Sequence, residues 1–269
     1  MFIADLFDNF LIDLDGVVYI GNSPINGSAE TITELREMGK KVVFITNDPR
    51  NSPKGYSEKL SSMGILTLPS EVITSSTAIK HYIRERCDVR GTTAFVVGTK
   101  ELKEELKQIG IKLLTGEDGK SADLVIVGGH AEFDYAEMKT ATIAVRSGAG
   151  FISSNRDPVF PTKEGLVPAT GAILASIEVA SGKKSISVGK PERVIFDVAM
   201  STLPEGGETV VVGDRLDADI MGGKNANLST ILVLTGSTLH QELQDSQIKP
   251  DYVIGDLSEL LREREYDRA

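Results

Sequence analysis

The stretch "FLIDLDGVVYIG", residues 10–21, sets two carboxylates, Asp13 and Asp15, one residue apart at the end of an apolar run, with a glycine directly after them. One Asp or one Gly would be enough to end a strand. Residues i and i+2 of an extended segment point to the same side, so both acids would face one cleft and repel each other unless they share something positive. A divalent cation is such a group. Mg2+ prefers oxygen ligands, keeps several waters and is held by one or two carboxylates together with a phosphate. Asp214 closes another apolar run, "TVVVGD", and is a natural further ligand. In the same tract, "GDRLDAD", Asp219 could open the next helix and face the same cleft. A solvated acidic turn is the ordinary alternative for Asp217 and a weak one for Asp214.

Two further strand ends carry polar groups. Thr46 and Asn47 follow "VVFI", and a hydroxyl with backbone N–H groups at a helix-leading turn can hold phosphoryl oxygens. Lys190 sits in "VGKP", beyond a strand and ahead of Pro191, a good first helical residue. An amine there could neutralise both a phosphate and the acidic cluster, although a lone lysine is more often a solvated charge. Other chemistries lack their patterns. No G-x-G-x-x-G follows a strand, and neither G-x-x-x-x-G-K-[ST] nor G-x-S-x-G is present. Cys87, in "RERCDVR", has no base near it in sequence.

These residues need a scaffold that brings strand ends together. Short runs rich in Val and Ile alternate with helix-period stretches almost throughout: "FLID", "KVVFIT" (41–46), "AFVVG" (94–98), "DLVIVGG" (123–129), "FISSN" (151–155), "ISVG" (186–189), "TVVVGD" (209–214) and "STILVL" (229–234). Near-continuous apolar strands alternating with helices mean an α/β fold whose parallel sheet is covered on both faces, and ligands gather at the carboxyl ends of such strands. Gly110, Gly148 and Gly182 sit just after helical patterns, where a left-handed residue is wanted. Asn227 fits the same place before "LSTILVL". About a dozen strand-like runs suit two α/β units better than one.

Bulk properties exclude several classes. The 269 residues suit one large domain or two modest ones. A net charge of −10 gives no long-range attraction to nucleic acid or anionic membrane, yet it leaves room for an anionic small substrate in a locally positive cleft. One cysteine rules out a disulfide framework, and His81, His130 and His240 lie far apart. No apolar stretch approaches the ~20 residues of a membrane span. The N-terminus lacks a basic start and apolar core, so no signal peptide is expected and the cytoplasm is the expected location.

Taken in order, Asp-x-Asp-Gly-Val, "FITN", "GKP" and "GDRLDAD" resemble the four motifs of the haloacid dehalogenase (HAD) superfamily, and the strand-borne Asp-x-Asp resembles its phosphatases. The tract "GAGFISSNRDPVFPTKEGLVPATGAILASIEVASGKKSISVGKP" is similar to the class IIA group of NagD-type nucleotidases and 4-nitrophenyl phosphatases. The resemblance implies a Rossmann-like core, residues 1–79 and 183–269, with an inserted α/β cap of type C2a over 80–182. Asp13 to Thr46 is 33 positions and Thr46 to Lys190 is 144, which puts the surplus strands between the second and third motifs.

It also implies roles. Asp13 would be the nucleophile that forms an aspartyl-phosphate, and Asp15 the acid that protonates the leaving oxygen and then takes a proton from water. Mg2+ would be bound by Asp13, the main-chain carbonyl of Asp15 and Asp214. Asp219 would act through water or orient Lys190, and Thr46, Asn47 and Lys190 would bind the phosphoryl group. The loop "SSNRDPVFPT" (153–162), stiffened by Pro158 and Pro161, would look into the active site. Its Asn155 and Asp157 would then bind substrate and set preference, while Arg156 either meets a second anionic group or is solvated. Asp48, Arg50, Gly129, His130 and Ala169 depart from the group's pattern. The expected activity is Mg2+-dependent hydrolysis of a small phosphate monoester: a sugar phosphate, a nucleoside monophosphate, phosphoglycolate or 4-nitrophenyl phosphate. Phosphoryl transfer to another alcohol uses the same chemistry. A phospho-receiver module fits less well, since it needs neither the insertion nor a second Asp. Caps of this kind also suggest a homodimer.

Overall fold

The computed structural model describes residues 2–162 and 165–263; residues 1, 163, 164 and 264–269 of the expected segments lie outside it. The chain divides into two compact units. The first takes the described residues of Met1–Thr46, Pro53–Ile73 and Lys190–Ala269, and the second Asn47–Ser52 and Thr74–Gly189. The expected 80–182 segment falls within the second unit. The wider extent there has a local cause: Ser75–Arg86 is one helix, opened by the Thr74 hydroxyl accepting from the Thr77 N–H, and residue 80 lies in its middle.

The first unit is built on a six-stranded sheet in the order Tyr252–Ile254, Ser229–Val233, Thr209–Gly213, Asn9–Asp13, Lys41–Thr46, Val72–Thr74. The Asn9–Asp13 strand is buried along its whole length and pairs in parallel with both neighbours. Ile12 lies opposite Val212, and Asp13 opposite Ile45. That register brings Asp13, Thr46 and Asp214 to the same edge of the sheet. Phe10, Ile12, Phe44, Val210 and Val212 share a core with Ile32, Leu35 and Leu60 from the helices Ser28–Glu37 and Pro53–Ser62. Leu11, Val43 and Val211 alternate with them, face the other way and are also buried. Burial on both faces is why these strands read as unbroken apolar runs.

The second unit has a five-stranded parallel sheet in the order Ile186–Ser187, Gly150–Ser153, Leu124–Gly129, Thr93–Gly98, Lys112–Leu114. Phe95, Val97, Val125, Val127 and Phe151 pack on Ala141, Ala144, Leu174 and Ile177 from the helices Tyr135–Arg146 and Thr170–Ser181. The expected α/β class with parallel sheets is therefore present. One local expectation is corrected. Only the first part of 153–162 is irregular, because Val159–Thr162 is a strand paired antiparallel with Gly165–Pro168. Pro161 is tolerated there because the hairpin has only two strands, so each keeps an unpaired edge. Among the described residues, no helix is long and apolar enough to cross a membrane.

Gly110, Gly148, Gly182 and Asn227 all have positive φ. Asn227, at 58°, is the one that carries a side chain. Asn tolerates this region and a β-branched residue does not. Asn227→Val should therefore lower the free energy of unfolding in urea by about 1–2 kcal/mol, whereas Asn227→Gly should change it little. Equal stability of the Val variant would show that the turn carries no such constraint.

Candidate active site

Parallel pairing collects the acids. Asp13 ends its strand and Asp214 follows the Thr209–Gly213 strand directly. Asp219 comes from the short helix Leu216–Ile220 that begins two residues later. One oxygen from each of the three carboxylates lies within 4.8 Å of the others. Lys190 Nζ bridges two of them, donating to Asp13 Oδ1 at 2.5 Å and to Asp219 Oδ1 at 2.6 Å, and the ammonium is only 4% exposed. The second oxygen of Asp219 accepts from the Arg215 N–H at 3.1 Å. Both oxygens of Asp219 therefore have partners, and its place is beside Lys190. Asp214 Oδ2 accepts from the Ser237 N–H at 2.5 Å.

One ammonium facing three buried carboxylates does not balance their charge. Burial raises the Asp13 carboxyl to about 8, with the Asp219 and Asp214 charges adding and Lys190 opposing. Burial and the charge of Asp219 raise Asp214 to about 6, against the Ser237 hydrogen bond. Burial alone would lower the Lys190 pKa, but Asp13 and Asp219 outweigh it and hold the amine above its usual value. An all-oxygen donor set short of positive charge fits a hard divalent cation. Asp13 and Asp214 could hold it, while both oxygens of Asp219 already have partners.

Asp15 is placed differently from Asp13. The strand ends at Asp13, and Asp15 forms an isolated bridge to Tyr19 in the turn beyond it. It is exposed where Asp13 is buried. The same-side rule for i and i+2 thus stops one residue too early to apply, and the third carboxylate of the cluster is Asp219. Thr46 is buried at the end of the Lys41–Thr46 strand. Asn47, the next residue, groups with the second unit and bonds to Asn155 and Asp157 there. Arg156 turns away from both: its guanidinium reaches Glu178 at 2.9 Å and the Ser185 carbonyl at 2.9 Å. Asp217 pairs with Arg215 on the surface. Of the departures from pattern, Arg50 pairs with Asp48 and stacks on Phe160, and His130 lies between Glu132 and Glu137.

Known proteins resemble this chain over most of its length. The family model described as haloacid dehalogenase-like hydrolase matches residues 10–112, and a HAD-hydrolase-like model matches 187–260. An acid sugar phosphatase of Staphylococcus saprophyticus is 36% identical over 95% of this chain and 97% of its own. The chain belongs to the haloacid dehalogenase-like hydrolases. Among solved members of the family, the 4-nitrophenylphosphatase of Thermotoga maritima is 34% identical, with a TM-score of 0.88 over 97% of this chain and 98% of that one. The glycerol phosphate phosphatase of Mycobacterium tuberculosis, solved in complex with magnesium, is 29% identical, with a TM-score of 0.88 over 97% of this chain and 78% of its own.

One part of this HAD site left little trace in the sequence. The turn "TGS", 235–237, holds Asp214 through a backbone N–H, and Thr235 Oγ1 donates to the Gly16 carbonyl at 2.6 Å. A Cβ on Gly236 would lie 2.1 Å from Asp214 Oδ2, and one on Gly16 would lie 2.6 Å from it. The only signal is a glycine shortly after a strand end.

The raised carboxyls carry a sign. At pH 7 Asp13 and Asp214 are partly protonated, and a cation can bind them only by displacing those protons. Titration of chelator-treated protein with MgCl2 in buffers of different ionisation enthalpy should report proton release, with affinity rising up to about pH 8. Equal heats in every buffer would remove these carboxylates from the cation site. By the same linkage these two raised carboxyls contribute stability to the cation-free fold that is lost as pH rises, through about 6 for Asp214 and about 8 for Asp13.

Proposed function

We propose that this chain is a phosphatase that hydrolyses small phosphate monoesters with Mg2+, through a phosphoryl group carried on Asp13. The observation that bears most weight is Asp13, buried at a strand end, held by Lys190 and grouped with Asp214 and Asp219. The names of the relatives support the substrate class: an acid sugar phosphatase, a 4-nitrophenylphosphatase and a glycerol phosphate phosphatase. The first unit is the catalytic core and the second, inserted into it, the cap.

Asp13 attacks phosphorus with a carboxylate oxygen, and the bond from phosphorus to the ester oxygen breaks. Asp15 donates its proton to that leaving oxygen. It then takes a proton from water as the water oxygen attacks phosphorus and the bond to Asp13 breaks, releasing phosphate. Exposure suits Asp15 to this task, because it must pass protons in both directions. Lys190 orients Asp13 and offsets the charge that gathers around it. The hydroxyl of Thr46 and the Asn47 segment bind phosphoryl oxygens. Asp13 and Asp214 would hold Mg2+, which would supply positive charge that favours ionised Asp13 and offsets the charge of the phosphoryl oxygens. Two displacements let each acid do one job.

Release of phosphate from 4-nitrophenyl phosphate is the direct test. Activity should vanish in EDTA and return with Mg2+, and Asp13→Asn should fold but lose activity by several orders of magnitude. Ordinary turnover by that variant would overturn the reading. The leaving-group acid has its own test. Asp15→Asn should slow hydrolysis of glycerol phosphate far more than that of 4-nitrophenyl phosphate, since nitrophenolate departs without needing a proton. Equal damage to both would take the acid role from Asp15.

A further inference from the structure

We propose that Asp157, Asn155 and Ser75 are positioning residues that hold Asn47, so that the start of the 153–162 segment governs how tightly phosphate binds, not which ester is chosen. This rests on the reading of the Asn47 segment as phosphoryl-binding. Asn155 is buried, at 3% exposure. Its Nδ2 donates to the Asn47 carbonyl at 2.8 Å and to Ser154 Oγ at 3.1 Å, and its Oδ1 accepts from the Asp157 N–H at 3.1 Å. A primary amide has two N–H donors, and both are engaged within the protein. To donate to a substrate, Asn155 would have to release one of them.

The Asn47 carbonyl accepts a second bond, from the buried Ser75 Oγ at 2.7 Å, so both of its lone pairs are used. The Asn47 side chain is held as well, its Nδ2 donating to Asp157 Oδ2 at 3.1 Å. The packing is tight enough to dictate a neighbour. A Cβ on Gly189 would sit 2.3 Å from the Ser154 carbonyl and 2.6 Å from Asn47 Oδ1, so only glycine fits. Three elements thus converge on one residue: the first turn of the Ser75–Arg86 helix, the segment after the Gly150–Ser153 strand, and Gly189. Arg156, between the two clamping residues, is turned to Glu178 and takes no part.

The consequence follows from peptide geometry. The Asn47 carbonyl and the Asp48 N–H belong to one planar unit. Fixing the oxygen fixes the direction of that N–H, and N–H groups of this kind are what bind phosphoryl oxygens. Asp157 then acts through Asn47 and is indifferent to the rest of the ester.

The test is a double-mutant cycle on the full chain with Mg2+, reading the inhibition constant of inorganic phosphate and kcat/KM for 4-nitrophenyl phosphate, glycerol phosphate and a hexose phosphate. Asp157→Ala should weaken phosphate roughly five- to tenfold, the scale of one hydrogen bond, and lower all three kcat/KM values by a common factor. In an Asn47→Ala background the same change should do nothing more, because the contact it serves is already gone. Asp157→Asn keeps an oxygen for the Asn47 amide to reach and should restore phosphate binding to within about twofold. Ser75→Ala should weaken phosphate without altering preference. Additive losses in the double variant, or factors that differ between esters, would make Asp157 a substrate contact and overturn the proposal. If Asn47→Ala itself leaves phosphate inhibition unchanged, the bond from Asp157 to the Asn47 side chain does not serve phosphate binding, and the positioning role of Asp157 is overturned.

Discussion

The buried ammonium of Lys190, shared between Asp13 and Asp219, is the interaction on which the site depends. Taking charges out of water is expensive, and an uncompensated one left inside a fold costs several kcal/mol. Asp13 and Asp219 come from a central strand and from the short helix after a neighbouring strand, and neither carboxylate could be buried in this density of like charge without the amine. Lys190 in turn could not be buried alone. The three are mutually required, and the fold has to deliver them together. A parallel sheet does so, because its register sends strand ends to a common edge while each strand's sequence determines only its own last residue.

Around that pair the remaining acids are told apart by environment. Asp219 has both oxygens occupied and stays with Lys190. Asp214 has one oxygen held by the Ser237 amide and a turn pressed against it by Gly236, which sets its direction without neutralising it. Asp13 is buried and its carboxyl is raised, so the site favours whatever brings further positive charge. Asp15 lies outside the cluster and in contact with water. Four carboxylates of the same chemical type thus acquire four different conditions, the kind of difference that lets one site assign its acids different tasks.

The sequence displayed much of this, and its gaps have physical causes. Strands buried on both faces show as apolar runs, and helix ends that need a left-handed residue show as Gly or Asn; both were legible. Asp13, Lys190, Asp214 and Asp219 were visible because each ends or follows such a run. That Asp15 lies past the strand and exposed was not legible, because a strand's last residue cannot be read from its composition. The Ser75–Arg86 helix was hidden by its polar, β-branched opening, "SSTAIK", which needs the Thr74 cap and its packing to form. The hairpin at 159–168 was hidden by its prolines. The contacts of Ser237 and of the Asn47 carbonyl are made by backbone atoms, which every residue carries and which no residue type announces.

The Asn47–Asp48 peptide bond shows why those silent contacts matter. The ladder of the central sheet reaches Ile45, opposite Asp13, and the strand ends at Thr46. Beyond it the chain leaves the strand, and Asn47 is held by side chains distant in sequence. Sheet register is accurate enough to position carboxylates, whose side chains have some reach of their own. It cannot orient a peptide plane past its last rung. That task falls to side chains from elsewhere in the sequence, and at Asn47 they are Ser75, Asn155 and Asp157. Polar residues conspicuous enough to look like substrate contacts are here bound to Asn47 itself, Ser75 and Asn155 to its main-chain carbonyl and Asp157 to its side-chain amide.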